Sequence, residues 1–273
     1  MRELTNYLPA PELRDYILSY GIVEFPEGTE EPYFSPPIAL SGFIIYTIKT
    51  QSTVIAKIED RDHYTELAVA SGQVTRPVYG QHVGRERILM IFFHALGMHQ
   101  LFGTDMSSLT NTSMPLSQFL GADEANRLIS DLKAEQDDAS QVRVLNEFFA
   151  GRAPRIGEST RRLRRILELI HERNGDVSVR ELETLGHYER KTLERHFKKM
   201  VGITPKVYCQ IYRFKCLMNL VQSQPGISWA QLTEQAGFYD QSHMSRYVKG
   251  YLKVSPSSIV QLDMDGINYL LSR

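Results

Sequence analysis

The chain has 273 residues, 42% of them hydrophobic, with 12 prolines, which is the make-up of an ordinary soluble globular protein. At roughly 100–200 residues per domain, two domains are expected. The 31 Lys+Arg nearly cancel the 32 Asp+Glu, for a net charge of −1. That average hides a division: residues 1–158 carry 13 Lys+Arg and 21 Asp+Glu, a net of −8, whereas residues 159–260 carry 17 and 9, a net of +8. An acidic body joined to a basic segment suggests a sensor or assembly domain tied to a polyanion binder.

In chain order, Met1 to Pro9 has neither the apolar core nor the small-residue cleavage site of a signal peptide. The longest apolar stretch, Ile88 to Met98, is interrupted by His94 and falls short of the roughly 20 residues of a spanning helix. A cytoplasmic protein with no membrane partner is expected. A helix is predicted over Pro11 to Tyr20. Strand-type runs come next at Ile38 to Lys49, Ser52 to Ile58, Tyr64 to Val74 and Arg87 to Phe93, rich in β-branched and aromatic residues and punctuated by Gly, Pro and Ser. They predict a sandwich or barrel. Helices are predicted at Ala122 to Glu135 and Gln141 to Phe149, and Gly151 to Gly157 then breaks the periodicity. The domain boundary is placed there, giving a β-rich domain over 1–153 and a helical one over 154–273.

Beyond the break, Ser159 is expected to cap a helix with Leu163, Ile166, Leu167 and Ile170 on its inner face, ended by Asn174-Gly175. The chain then repeats itself. Leu193 to Pro205 aligns at an offset of 51 with Met244 to Pro256, and Val177-Ser178-Val179 aligns at an offset of 50 with Ile227-Ser228-Trp229. Each copy reads as a short helix, a turn near Gly186 or Gly237, and a second helix starting near Glu189 or Asp240. This is helix-turn-helix grammar, duplicated. Between the copies, Thr204 caps a helix begun by Pro205 and striped by Val207, Ile211, Phe214, Met218 and Val221, until Gln224-Pro225-Gly226 stops it. Its roughly 18 residues span about 27 Å, against about 34 Å between successive major grooves. Cys209 and Cys216 lie about 10 Å apart on that helix, too far for a disulfide, and are read as reduced thiols.

These residues resemble the AraC/XylS family of bacterial transcription regulators over about 159–260. The most specific pieces are Thr192 to Lys199 with Gly202-Ile203-Thr204-Pro205 just beyond, and Gly237 to Arg246 closed by Val254-Ser255-Pro256. The chain departs from the family at Glu183 and Thr233, where alanine is usual, at Glu189, where a serine cap is common, and at Val248, where an aromatic is usual. The N-terminal half is similar, more weakly, to the β-rich regulatory domains of one branch of the family, at Leu13 to Tyr20, Ser71 to Val78, and Leu101-Phe102-Gly103 leading into Met114-Pro115-Leu116. The resemblance implies an α+β two-domain protein: a β-rich, sandwich- or barrel-like N-terminal domain with flanking helices that senses an effector, dimerises, or does both, and an all-α C-terminal domain with two helix-turn-helix units joined by a long helix.

With Leu193, Phe197, Met244 and Val248 facing the core, the family's base-contacting positions fall on Lys191, Glu194 and Arg195 in the first unit and on Gln241, Ser242, Ser245 and Arg246 in the second. Arg can hold guanine, Gln adenine, and Glu can accept from cytosine. Lys198, Lys199, Lys206, Arg213 and Lys249 are assigned to the DNA backbone. The expected partner is double-stranded promoter DNA across two adjacent major grooves, and RNA polymerase, a small-molecule effector and a second copy of the chain are further candidates. His196 and His243 are read as structural. No catalytic residue, metal or cofactor is assigned. The competing reading is a cupin-like β-barrel enzyme or small-molecule carrier with a helical appendage, using His63, His82, His94 and His99 as ligands, while Phe34, Phe43, Tyr46, Tyr79, Phe92 and Phe93 are candidates to line an effector pocket. No His-x-His element supports a metal there, and aromatics at strand spacing are more often core.

Overall fold

The computed structural model describes residues 4–50, 55–58, 61–64 and 67–252, with side chains over 4–50 and 67–250. Among the described residues, ten strands build the first half: β1 (Thr5–Tyr7), β2 (Ile17–Phe25), β3 (Glu30–Ser35), β4 (Ser41–Lys49), β5 (Ile55–Ile58), β6 (Arg61–Tyr64), β7 (Ala68–Ser71), β8 (Val78–Val83), β9 (Glu86–Phe93) and β10 (Ser113–Pro115). One sheet runs in the order β1-β2-β9-β4-β7-β10 and the other β3-β8-β5-β6, with antiparallel pairing between neighbours. The helices of this half are α1 (Gly97–Phe102), α2 (Leu116–Leu120), α3 (Ala122–Ala134) and α4 (Asp138–Ala150).

Both faces of the central strands are covered, which explains their near-continuous apolar runs. Leu89, Ile91 and Phe93 of β9 point toward the helices, where Phe43, Phe102, Phe119 and Phe149 pack edge-to-face around them. Alternate residues on the opposite face, Ile88 and Met90, join Val23, Phe25 and Tyr46 in a second cluster. At about 25 cal/mol per Å², burying a Phe or Ile side chain contributes roughly 1.5–3 kcal/mol, so these two clusters dominate the domain's cohesion.

The helix predicted over Pro11 to Tyr20 is not there. Only Pro11–Leu13 coils, as a 3₁₀ turn, and Ile17 onward is β2. The spacing of Leu13, Tyr16, Ile17 and Tyr20 mimics a helical face, and all four enter one core cluster. Hydrogen-bonded neighbours on both edges, β1 and β9, decide for strand. The run Ile38 to Lys49 becomes strand only from Ser41, because Ala39 turns through a positive φ of 60°. Of the strand expected over Tyr64 to Val74, Tyr64 ends β6 and residues 68–71 form β7, while residues 65–66, like residues 52–54 of the run before it, lie outside the described residues.

The second half is helical: α5 (Glu158–Glu172), α6 (Val179–Gly186), α7 (Arg190–Val201), α8 (Pro205–Ser223), α9 (Trp229–Gln235) and α10 (Gln241–Leu252). Helix α5 starts at Glu158, with Gly157 rather than Ser159 in the capping position, and Ser159 lies inside its first turn. Asn174 and Gly175 do end it, at φ 50° and 79°. A Cβ on Gly175 would meet the Cys209 carbonyl at 2.4 Å, so glycine is required there for space as well as for angle. Helix α8 is the spine. Its buried residues Tyr208, Ile211, Phe214, Lys215, Leu217, Met218 and Val221 occupy more of its circumference than the predicted stripe, because the first unit, the second unit and the β-rich half all pack on it.

Candidate DNA interface

The two units begin alike. Ser178 caps α6, its hydroxyl accepting from the Glu181 N–H while the Glu181 carboxylate accepts from the Ser178 N–H at 2.9 Å. Ser228 and Gln231 repeat the arrangement at α9, so the sequence repeat carries a duplicated capping box. The turns differ. In the first unit the left-handed residue is His187, at φ 51°, while Gly186 closes α6 where a Cβ would strike Ile166 Cδ1 at 2.6 Å. In the second unit Gly237 itself takes φ 67°. The one residue by which the copies differ in spacing falls in these turns.

The second helices of the units, α7 and α10, also start differently. Asp240 Oδ1 accepts from the His243 N–H at 2.6 Å, a normal cap, while Glu189 makes no side-chain capping bond. Leu193 and Phe197 of α7 and Met244 and Val248 of α10 are fully buried. Thr233 fits beneath α10, donating to the Trp229 carbonyl at 2.6 Å and touching Met244 Sδ at 3.6 Å.

The opposite faces are open. Lys191, Arg195, Lys198 and Lys199 of α7, and Gln241, Ser242, Arg246 and Lys249 of α10, are exposed, whereas Glu194 and Ser245 are half-buried. Glu194 is paired with Arg190 at 3.2 Å, so its carboxylate is already occupied. Arg246 Nε reaches the Ser242 carbonyl of its own helix at 3.4 Å. Lys206 is exposed at the start of α8. Arg213, grouped with the backbone contacts in the sequence, is engaged inside the protein. It donates to Asp176 Oδ1 at 3.1 Å and to the Ala236 and Gly237 carbonyls, and lies 4.2 Å over the Phe238 ring. It therefore ties the second unit's turn to the spine.

Two features escaped the sequence. Tyr239, just before the Asp240 cap, is 93% exposed. Arg190, Arg180, Lys206, Arg213 and His243 line a cleft of about 530 Å³ between the units. A single exposed tyrosine has no periodicity to betray it, and the cleft's residues come from four helices.

Burial and the neighbouring Arg195 and Lys199 cations lower the His196 pKa, keeping the imidazole neutral beside the Tyr188 ring at 5.1 Å. His243 packs edge-on against Phe238 at 5.5 Å. Burial pushes the Cys209 thiol up to about 12 and the Cys216 thiol up to about 11, so both stay protonated and free.

The β-rich half leans on these helices. A 3₁₀ turn at Met106–Leu109 packs on α7, Thr110 Oγ1 donates to the Gly202 carbonyl at 2.5 Å, and Arg164 pairs with Asp15 at 3.2 Å. Ala39, Ala95 and Leu96 enter the first unit's core, and Ile38 enters the second's.

The histidines of the competing reading do not converge. His82 bonds Glu86 at 2.8 Å, His94 sits at the junction of the two halves, and His99 Nδ1 meets the Thr104 carbonyl at 2.7 Å; the His63 side chain lies outside the described residues. Phe43 and Phe93 are core, Phe34 and Tyr79 pack on each other at 5.3 Å, Phe92 faces the α8–α10 cluster, and Tyr46 lies beside Lys49 at 5.0 Å. No helix among the described residues is long and apolar enough to cross a membrane.

Residues 185–261 match a family model described as a helix-turn-helix domain, and residues 5–115 match one described as a domain of unknown function, DUF6597. No curated protein sequence matches the chain. Among solved structures, the chain is similar to ToxT from Vibrio cholerae O395, at 10% identity and a TM-score of 0.48, over 91% of this chain and 98% of that one. It is also similar to unsaturated fatty acid-bound wild-type ToxT from Vibrio cholerae strain SCE256, at 13% identity and 0.47, over 95% and 97%. The AraC-like transcriptional activator CuxR gives 12% identity and 0.25, over 98% and 83%.

Proposed function

We propose that the chain is a DNA-binding transcription regulator of the AraC/XylS type that reads an operator of roughly 20 base pairs with α7 in one major groove and α10 in the next. The observation that carries this reading is the pair of polar-faced helices mounted on one spine of 19 residues, about 28 Å long. In it Lys191, Glu194 and Arg195 meet base edges in the first groove, and Gln241, Ser242, Ser245 and Arg246 meet them in the second. Glu194 must exchange Arg190 for a base donor. Lys198, Lys199, Lys206 and Lys249 hold phosphates, and Arg213 serves by fixing the angle between units. Tyr239 adds an exposed ring and hydroxyl beside the second groove.

The β-rich part, residues 1–153, is the regulatory domain, and residues 154–273 bind DNA. What supports a regulatory role is its packing on α7 and α8 together, so that a small effector or a second copy bound to it changes how the reading helices are presented. The protein acts in the cytoplasm, without chemistry of its own, and a contact to RNA polymerase is the route from binding to transcription. Selecting bound duplexes from a random pool with the full chain tests this. A two-part motif whose halves are about one helical turn apart is expected; enrichment of no sequence overturns the reading.

A further inference from the structure

The cleft between the units is lined by residues of both α7 and α10 together with α6 and α8. Its rim is formed by the beginnings of three helices: Arg180 is the second residue of α6, Arg190 the first of α7 and Lys206 the second of α8. The far wall carries His243 and Tyr247 from α10. Asp176 also lines it, but is paired with Arg213 at 3.1 Å, and the charge of Arg190 is offset by Glu194 at 3.2 Å. Arg180 and Lys206 enter no ion pair among the described residues and are both exposed, so the cleft keeps an excess of positive charge. The capping box engages the Ser178 and Glu181 N–H groups at the start of α6, and the long Arg180 and Lys206 side chains add charged donors beside it.

Resting on the reading above, we infer that this cleft seats the sugar-phosphate backbone between the two half-sites, with Arg180 and Lys206 as its donors and Arg190 as a third once Glu194 turns to a base. When α7 and α10 occupy successive major grooves of one DNA face, the strand edges crossing between them must pass the cleft that separates the two helices. A diester there gains charge-assisted bonds from two cations without any base being read. The seat therefore sets the register of both units at once and is indifferent to the spacer sequence.

The test uses the full chain, the duplex selected above, and the same duplex with neutral methylphosphonates at the central linkages only. Neutral linkages should weaken the wild type on the order of tenfold, and should weaken the Arg180→Gln/Lys206→Gln double variant less than about threefold. The double variant should also lower the slope of log affinity against log salt by about 2 while selecting the same half-site motif. Both side chains are exposed, so folding is expected to survive, and an unchanged melting temperature checks it. An equal loss in wild type and variant on neutral linkages, or an unchanged salt slope, overturns the inference while leaving the two-groove reading intact. Stabilisation by pyrophosphate alone, lost in the double variant and accompanied by an unchanged slope, would assign the cleft to a free anion instead. If no duplex is selected at all, it is the functional reading that has failed, and this seat with it.

Discussion

Arg195 and Arg246 occupy equivalent, exposed places on helices 51 residues apart, and an arginine bidentate to guanine contributes about 1–3 kcal/mol of discrimination. Arg195→Ala should relax base preference in one half of the selected motif and Arg246→Ala in the other, read by repeating the selection with each variant. Uniform weakening with the motif unchanged in both would reduce these residues to backbone contacts. Lys215 poses a different question. It is 4% exposed, its ammonium lies 5.5 Å over the Tyr212 ring, and among the described residues it has no carboxylate partner. Burial lowers its pKa from 10.5 to about 8, so the unfolded chain holds the proton more tightly than the native one. Stability on this account is highest above pH 10.5, falls as pH drops toward 8, and carries the full cost at neutral pH. Lys215→Met should raise the melting temperature at pH 7 by several degrees, at roughly 2–4 °C per kcal/mol, with a smaller gain at pH 9.5. His171, packed beneath the Tyr212 ring at 4.3 Å and lowered to about 4 by burial and by Lys215 and His94, adds a loss in the same direction between pH 6.5 and 4.

The elements were legible where their determinants are local. Thr204 and Asp240 mark helix starts within a few residues of chain, and the duplicated units are visible in the sequence because their matching residues recur at offsets of 50 and 51; the caps at Ser178 and Ser228 emerge in the structure. The absent helix over residues 11–20 shows the converse, since its outcome depended on β9, some seventy residues away. The second helices of the two units, α7 and α10, differ in their caps, and this has a measurable consequence. Asp240→Ala should cost about 1 kcal/mol and speed amide exchange in the first turn of α10, whereas Glu189→Ser should slow exchange at the start of α7. Equal behaviour of the two helices would show that packing, not capping, sets their order. Gly202 ends α7 at φ 104°, and a Cβ there would approach the Met106 carbonyl at 3.0 Å. Gly202→Ala should therefore strain the helix end and loosen the seam between the two halves, seen as faster proteolysis in the segment joining them.

For the molecule as a whole, the charge division of −8 and +8 and the shared cores pull in opposite directions. The acidic half repels DNA at long range, so a fragment spanning 154–273 should bind non-specific duplex more tightly at low salt than the full chain does. The same fragment loses Ile38, Ala39, Ala95 and Leu96 from its cores and should melt at a lower temperature. Matching affinity and melting temperature for fragment and full chain would show the halves to be independent. The intact protein's affinity should fall with salt at a slope near −5 to −7 if on the order of six to eight phosphates are neutralised.

By itself the sequence determined the duplicated helix-turn-helix units, the length of the spine between them, the residues on their polar faces and the charge division. Each of these rests on spacing within one turn or one helix, or on a simple count, and needs no distant partner. The tertiary structure alone decided that residues 17–25 form a strand, that Arg213 is consumed in holding the second unit's turn, that Glu194 is paired with Arg190, and that Arg180, Arg190 and Lys206 share one cleft. Those outcomes depend on which surfaces meet, and surfaces from separate helices and from opposite halves of the chain meet only when burial of the whole core brings them together.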